Sequence, residues 1–591
     1  MVSGLQYLWY GIAIKGNLTV PDDKPEHCDI FDEAGRTQFN WPLFLLVIAV
    51  ASALCFWGLG TRTLWEDEAE TAVLAQRVLS YGFPKALSGN NLVYQGVSNS
   101  YDKAYRWTFH PWGQFYITAA GLAVFGNTAF AARFSFALCG VLTVALLYLF
   151  VWRHWRSSGI AALSALLLAT SVGFILHCRQ CRYYGLSALT ALIVVAVFIE
   201  LVNNPHRRWW IGFGLALAAQ FYTDFGTLMV MLPGLLLSLL LIKVGKKEII
   251  AAAKSLALAF LLIIPGLMLH WARLTAGGGS RHFFKSLLRN IHYFDVWFIP
   301  VIFAVPAAGV FIWRLLRSKE KNISEQDRVI IICILVTASA AIGMAKAAFA
   351  PYLRYVVPQL SLAKLLFALI IAGLYGKLRR TVLSLWSTRL FLTIVITTLV
   401  FTNIFSLPLQ YLIGTAKYPK PKINPPPGLF TGIEFAGLMY ELTHNFVCCN
   451  RVALNVVDDL AEADETVLID FGDLPLMFYK PDLNIYSFNT LSQLRHVPDL
   501  IISYKSNYYH SDDIDNFIQK LQAANKGDYL CVTISAPEEL CGNIPEPDEH
   551  DFVNPSGRIP FEVNLRSDHQ YRLQKLPQTI EEHEARWFRQ R

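Results

Sequence analysis

The chain has 591 residues, of which 54% are hydrophobic, 13% aromatic and only 16% charged, with a mean hydropathy of +0.38. Soluble globular chains carry about a quarter charged residues, so the composition excludes that class and points to a polytopic membrane protein. The net charge of +7 needs no nucleic acid to explain it, because basic loops that orient membrane spans supply such an excess.

In chain order, the polar stretch 1–40 lacks a basic start, apolar core and cleavage site, and reads as a cytoplasmic N-terminal segment with no cleaved signal. Eleven candidate spans follow: Trp41–Gly60, Phe130–Trp152, Ile160–Leu176, Tyr184–Val202, Trp209–Tyr222, Phe225–Ile242, Ile249–Trp271, Val296–Trp313, Val329–Met344, Val356–Tyr375 and Leu390–Leu412. The apolar run Trp112–Gly126 is short for a span. With it lying in the interface plane, the basic loops Arg153–Arg156, Arg207–Arg208, Lys243–Lys247, Arg314–Arg328 and Lys377–Arg389 all fall on one side. The opposite face then receives the long first loop 61–129, the segments 178–183, 223–224 and 346–354, and the C-terminal region.

A proline-rich linker, 413–428, containing YPKPKINPPPG, ends the membrane part 41–412, since repeated prolines cannot continue a helix. Beyond it, 429–591 reads as a soluble α/β domain. Its predicted strands are Glu465–Asp470, Asn484–Phe488, Asp499–Tyr504 and Tyr529–Ser535, with helices at Gly432–Thr443 and Ser511–Ala524. The expected fold class is therefore a polytopic α-helical membrane protein of about eleven spans, with a C-terminal extracytoplasmic α/β domain. Cys448, Cys449, Cys531 and Cys541 lie in that domain, where disulfides would be allowed outside the cytosol, with a connectivity that spacing does not determine. Cys178 and Cys181 form a single C-x-x-C without a second pair, a weak metal pattern.

The first loop opens with LWEDEAETAVLAQRVLSYG (64–82), which places Glu66, Asp67 and Glu68 at the start of a helix through Ala69, Ala72, Ala75 and Leu79. Acids suit the positive end of a helix dipole, which is the structural explanation; acids at a bilayer edge are also costly unless they serve a purpose, which is the functional one. The same face gathers Asp102 and His110 from the first loop, then Arg179, Arg182 and Tyr183, the turn residue Asp224, and Arg354 with Tyr355. Arginine and tyrosine at helix ends commonly snorkel or belt the interface, and His110 before proline could be a plain loop residue. Asp224, between two apolar spans with almost no loop, is harder to place without a partner. Together the residue types fit glycosyl transfer: a carboxylate takes the proton of an acceptor hydroxyl, while guanidinium and imidazole groups hold a leaving phosphate. Asp67 and Glu68 are the candidate catalytic pair, with Asp224 or Asp102 as a possible second acid. No metal-ligand set is read in the site, the chemistry requires no cofactor, and no nucleotide loop of the G-x-x-x-x-G-K-S/T kind is present.

Asp67-Glu68-Ala69 with Ala72, Ala75, Leu79 and Gly82, then His110-Pro111, Phe125-Gly126, Arg133, Arg179-Gln180-Cys181-Arg182-Tyr183, Tyr222-Thr223 and Arg354-Tyr355 with Pro358 occur in this order. This set resembles the GT-C membrane glycosyltransferases, in the branch of aminoarabinose transferases and protein O-mannosyltransferases, over roughly Leu43–Leu412. The resemblance implies an inverting transferase with a polyprenyl-phosphate sugar donor and Asp67 as base. It also implies that His110, Arg179, Arg182, Tyr183, Arg354 and Tyr355 bind the donor phosphate or sugar. The acceptor would be lipid A, another glycolipid, a polysaccharide or a protein on the periplasmic face of a bacterial inner membrane. A flippase of lipid-linked sugars is the reading from another class; it predicts midplane polar residues and inverted repeats, whereas the charges here cluster at one face.

Overall fold

The structure is a computed structural model that describes residues 38–95, 100–275, 282–317, 323–348, 352–381, 385–401, 405, 409, 434–443, 448–494, 496–504, 512–523, 528–537 and 558–576. The linker 413–428, nearly all of segment 1–40 and Cys541 lie outside the described residues. The helices are α1 (Trp41–Phe56), α2 (Glu66–Tyr81), α3 (Gly113–Phe125), α4 (Ala129–Trp155), α5 (Ser158–Ala169), α6 (Val172–Cys178), α7 (Tyr184–Asn203), α8 (Arg207–Thr223), α9 (Phe225–Leu241) and α10 (Lys246–Thr275). They continue with α11 (Phe283–Tyr293), α12 (Val301–Arg317), α13 (Glu325–Ala347), α14 (Leu360–Thr381), α15 (Leu385–Phe401), α16 (Glu434–Thr443), α17 (Cys449–Leu460), α18 (Asp473–Tyr479) and α19 (Asp512–Ala523).

Among the described residues, α4, α7, α10, α13 and the run Val357–Leu378 are long and apolar enough to cross a membrane. Large side chains such as Leu240, Leu261 and Met268 point outward from α9 and α10, the surface a bilayer would cover. Two predicted spans are broken. Ile160–Leu176 is the pair α5 and α6, bent by 65° where Thr170 turns its hydroxyl back to the Leu166 carbonyl and Ser171, with extended backbone, precedes the next helix. Val296–Trp313 bends by 96° between a π-turn, Phe294–Phe298, and α12, at Ile299-Pro300, where proline has no N–H to give. The last predicted span, Leu390–Leu412, is described as α15 up to Phe401.

The run expected in the interface plane forms α3, whose 13 residues extend only about 20 Å at ~1.5 Å per residue. It sits between α2 and α4 at close range. A Cβ added at Gly121 would lie 2.4 Å from the Ala131 carbonyl oxygen, and one at Gly113 2.7 Å from that of Tyr222. Only glycine lets these backbones approach so closely.

The C-terminal part carries a five-stranded mixed sheet in the order β4-β3-β5-β7-β6, with β3 Thr466–Ile469, β4 Asn484–Ser487, β5 Leu500–Tyr504, β6 Tyr529–Pro537 and β7 Arg558–Arg566. β3 pairs in parallel with β4 and β5, so α18 serves as the crossover between β3 and β4; β7 runs antiparallel to β5 and β6. A small hairpin of the first loop, β1 (Leu87–Ser88) and β2 (Asn91–Leu92), docks beside it: Asn91 donates to the Leu483 carbonyl at 2.8 Å and accepts from the Ile485 N–H at 2.7 Å. Gln76 of α2 donates to the Phe478 carbonyl at 3.1 Å, and the Leu64 N–H donates to the Tyr479 hydroxyl at 3.1 Å. One apolar core runs from Leu64, Val73 and Leu74 through Trp107 and Phe115 to Val452, Val467, Leu474 and Phe478. The first loop and the C-terminal sheet are thus packed as one layer over the helices.

Candidate active site

Helix α2 starts at Trp65, whose N–H donates to Glu68 Oε2 at 3.4 Å, and ends at Gly82, which takes φ +80. Its 3.6-residue turn aims the first acids in different directions. Glu68 points into the protein and is bound at both oxygens by Arg133 of α4, Nε to Oε1 at 2.7 Å and Nη2 to Oε2 at 2.6 Å. Arg133 also donates to the carbonyls of Leu59, Arg62 and Thr63, and Glu68 Oε1 accepts the Cys181 N–H at 2.8 Å. This pair pins α2 to α4 and to the loop before α7.

Asp67 turns the other way. Its Oδ2 lies 3.6 Å from Arg182 Nη2 and 3.4 Å from Arg354 Nη1, and its side chain keeps 26% of its exposure where Glu68 keeps 1% and Glu70 none. Among the described carboxylates that meet these arginines, Asp67 is more open to solvent than Glu70. Arg354 lies over the Tyr352 ring at 4.3 Å and the Tyr355 ring at 5.5 Å, so two aromatic faces hold its guanidinium toward Asp67.

Glu70, one helical turn on, is a site residue that the sequence reading did not single out. Its Oε1 accepts from Arg182 Nη1 at 2.9 Å and meets His110 Nδ1 at 3.0 Å, and its Oε2 accepts from the Gln95 amide. The i, i+3 spacing from Asp67 to Glu70 was the available signal, since it puts both acids on one helical face. Burial pushes the Glu70 carboxyl up, but the charge of Arg182 and the hydrogen bonds from His110 and Arg182 outweigh it and hold it at about 2. For His110, burial dominates and lowers it despite Glu70, so near neutral pH the imidazole is uncharged and gives its Nδ1 proton to Glu70. Arg182 further donates to the Asp67 carbonyl at 3.0 Å and the Thr71 hydroxyl at 3.3 Å; burial opposes its charge, and Asp67 and Glu70 more than compensate. The Tyr183 ring sits 6.2 Å from the His110 ring and 4.6 Å from that of Tyr184. The His110 loop is held from α10, where His270 Nδ1 meets the Thr108 carbonyl at 2.8 Å and Arg273 lies over the Phe109 ring at 4.3 Å.

The structure thus brings together Asp67, His110, Arg182, Tyr183, Arg354 and Tyr355, and places the remaining candidates in other duties. Glu68 is the buried partner of Arg133. Arg179 gives Nη1 to the carbonyls of Leu54 and Cys55 at 3.1 and 3.0 Å, at the C-terminal end of α1, where a cation suits the exposed carbonyls. Asp102 closes a surface turn with Arg106 at 2.7 Å. Asp224 caps α9, accepting from the Thr227 N–H at 3.1 Å and from the Ser187 hydroxyl at 3.0 Å. Cys178 and Cys181 are free, buried thiols and Cys448 is disulfide-bonded. Among the described residues, one group with metal-ligand spacing, Glu465, Asp499 and His569, lies on the C-terminal sheet, where Arg572 and Arg566 already occupy its carboxylates at 2.8 and 2.9 Å.

Residues 109–271 match the family described as dolichyl-phosphate-mannose-protein mannosyltransferase. The undecaprenyl phosphate-alpha-4-amino-4-deoxy-L-arabinose arabinosyl transferase 2 of Pseudomonas fluorescens is 30% identical over 203 residues, which is 33% of this chain and 33% of that protein. The chain therefore matches about a third of the length of that curated relative. The crystal structure of ArnT from Cupriavidus metallidurans bound to undecaprenyl phosphate superposes over 88% of this chain and 97% of its own, at 15% identity and a TM-score of 0.53. The apo crystal structure of the same protein gives the same values. The fold of this chain is the GT-C fold of those structures, a multi-pass helical membrane domain with a C-terminal sheet.

Proposed function

We propose, for a membrane chain that carries the GT-C fold and presents one open carboxylate to two arginines, that it is an inverting glycosyltransferase. It moves a sugar from a polyprenyl-phosphate donor to an extracytoplasmic acceptor. In this reading Asp67 takes the proton of the acceptor hydroxyl as its oxygen bonds to the anomeric carbon. The bond from that carbon to the phosphate oxygen breaks, and the polyprenyl phosphate leaves with the electron pair. Arg182 and Arg354 neutralise its charge, while His110, whose one N–H is given to Glu70, holds that carboxylate against Arg182. The phosphate competes with Asp67 for the same guanidinium donors, so donor binding would draw Arg354 toward the leaving group and free the carboxylate for the acceptor.

The observation that carries this is the contrast within α2: Glu68 and Glu70 are sealed by partners, while Asp67 stays accessible between Arg182 and Arg354. Curated and solved relatives named for undecaprenyl phosphate support that lipid as the donor carrier. The grouping of the basic loops on one side supports placing the active face and the C-terminal sheet on the other, the periplasmic side of an inner membrane. Glu68, Arg179, Asp102 and Asp224 are assigned to holding the fold rather than to the reaction. The domains proposed are the membrane part 41–412 with its first loop 61–129, and the extracytoplasmic part from 429 onward.

The test is mass spectrometry of cell-envelope glycans from cells with the chain, without it, and with Asp67→Asn. A single-sugar mass increment present only with the intact chain supports transfer. Donor accumulation in the deletion, with Asp67→Asn behaving as the intact chain, would instead favour the flippase.

A further inference from the structure

Beside the charged cluster, three tyrosines of the first loop meet ring to ring. The centroids of Tyr94 and Tyr101 are 6.4 Å apart at 64°, and those of Tyr101 and Tyr105 are 5.4 Å apart at 28°, a stack. The turn that presents the outermost ring is tightly tied. The Tyr105 N–H donates to the Asp102 carbonyl at 2.9 Å, its own carbonyl accepts from Ala86 at 2.6 Å, and the Asp102 carboxylate accepts the N–H groups of Ala104 and Arg106 at 2.9 Å each. Tyr105 is held at φ 57, a region that bulky side chains rarely enter, and remains 38% exposed. The row is tied to the site through the chain: Gln95, next to Tyr94, donates its amide to Glu70, and the row ends in the exposed Tyr105.

We propose that Tyr94, Tyr101 and Tyr105 form a saccharide-binding platform that holds sugar rings of the acceptor beside Asp67, making the acceptor a glycan headgroup rather than a peptide. This rests on the transferase reading above. The C–H face of a pyranose packs on an aromatic face, and phenol hydroxyls at the ring edges bond its hydroxyl groups; tyrosine supplies both at small conformational cost. The stack covers one face of Tyr105, and the residue keeps 38% of its exposure. Tyrosines that merely belt an interface insert singly among headgroups, whereas these are aligned against each other and flanked by the exposed charges of Lys103 and Arg106.

The full-length protein is reconstituted in liposomes with lipid-linked donor and a dilution series of cell-envelope glycolipid extract. Product is read by mass spectrometry, and undecaprenyl phosphate binding by thermal shift. The double variant Tyr101→Ala/Tyr105→Ala should need about tenfold more extract for half-maximal transfer. Its undecaprenyl phosphate shift should be retained, and Tyr101→Phe/Tyr105→Phe should keep most of the affinity. Unchanged half-saturation in the alanine variant, loss of its undecaprenyl phosphate shift, or a product found on protein would each overturn the platform while leaving transfer intact. Absence of any product from the unaltered chain would instead remove the transferase reading, and the platform with it.

Discussion

Replacing Asp67 by asparagine keeps its size and its place between Arg182 and Arg354 but removes the proton acceptor, so transfer should fall by about 100- to 10,000-fold while the protein accumulates normally in membranes. Glu68→Gln, one residue on, has the reverse signature. It leaves the Arg133 charge buried against carbonyls with no counter-charge, and should cost about 3–5 kcal/mol, seen as poor accumulation and a lower apparent melting temperature. The adjacent Glu66 gives a pH-dependent case. Burial, reinforced by the Asp473 carboxylate of the C-terminal part, pushes its carboxyl well up, so it is protonated and donates to Asp473. A group raised on folding stabilises fully below its unfolded pKa, near 4.5, and its contribution is lost as pH rises through the folded value. Glu66→Gln keeps the donor without the ionisation, so its thermal unfolding midpoint should exceed that of the unaltered chain at alkaline pH and match it in acid. Glu70 acts in the opposite direction: held at about 2, its contribution is present above its unfolded value and is lost as pH falls toward 2.

At the scale of elements, α3 is both short and closely packed, and Gly121→Val tests whether that packing fixes it. A Cβ there meets the Ala131 carbonyl at 2.4 Å, so α3 and α4 must part, with a cost of about 1–3 kcal/mol and lower transfer because α3 follows directly from His110. The sequence already held much of this element plan. Acids at the start of α2, the insufficient length of Trp112–Gly126 and the β-branched runs of β3 to β6 are local signals, and each is met by an element. Strand β7 was overlooked although Ile559, Phe561, Val563 and Leu565 alternate, because Pro560 within the run argues against a strand and only pairing with two neighbours outweighs it. The bends between α5 and α6 and at Pro300 were hidden inside continuous apolar runs, where hydropathy averages away the serine, threonine or proline that breaks the helix. At the site, residue types and order singled out Asp67, Arg182 and Arg354, which the structure brings together, and also Arg179, which it places against the carbonyls at the end of α1. The division of labour among Asp67, Glu68 and Glu70 was not legible, because it depends on which partner each acid meets across more than a hundred residues of chain in the case of Arg182.

For the molecule as a whole, composition divides the chain into a membrane part and a polar C-terminal part, yet the packing joins them. Helix α2 meets the C-terminal α18 through Gln76, Leu64 just before the helix bonds Tyr479, β2 is bridged to β4 through Asn91, and their apolar side chains form one core. Separate expression of the membrane part, ending before residue 429, should therefore lose transfer and expose α2 to protease. A merely tethered domain would leave both unchanged.

The same junction sets an order of assembly. Thr63, at the threshold of α2, touches Cys448, 385 residues later. At about 5–20 residues per second of synthesis, α2 waits roughly 20–80 s for the surface that covers it. During that interval the spans can insert and Glu68 and Glu70 can pair with Arg133 and Arg182, while the face of α2 that carries Val73 and Leu74 waits for the C-terminal core. A prematurely terminated chain would hold the charged cluster on a helix whose other side stays uncovered.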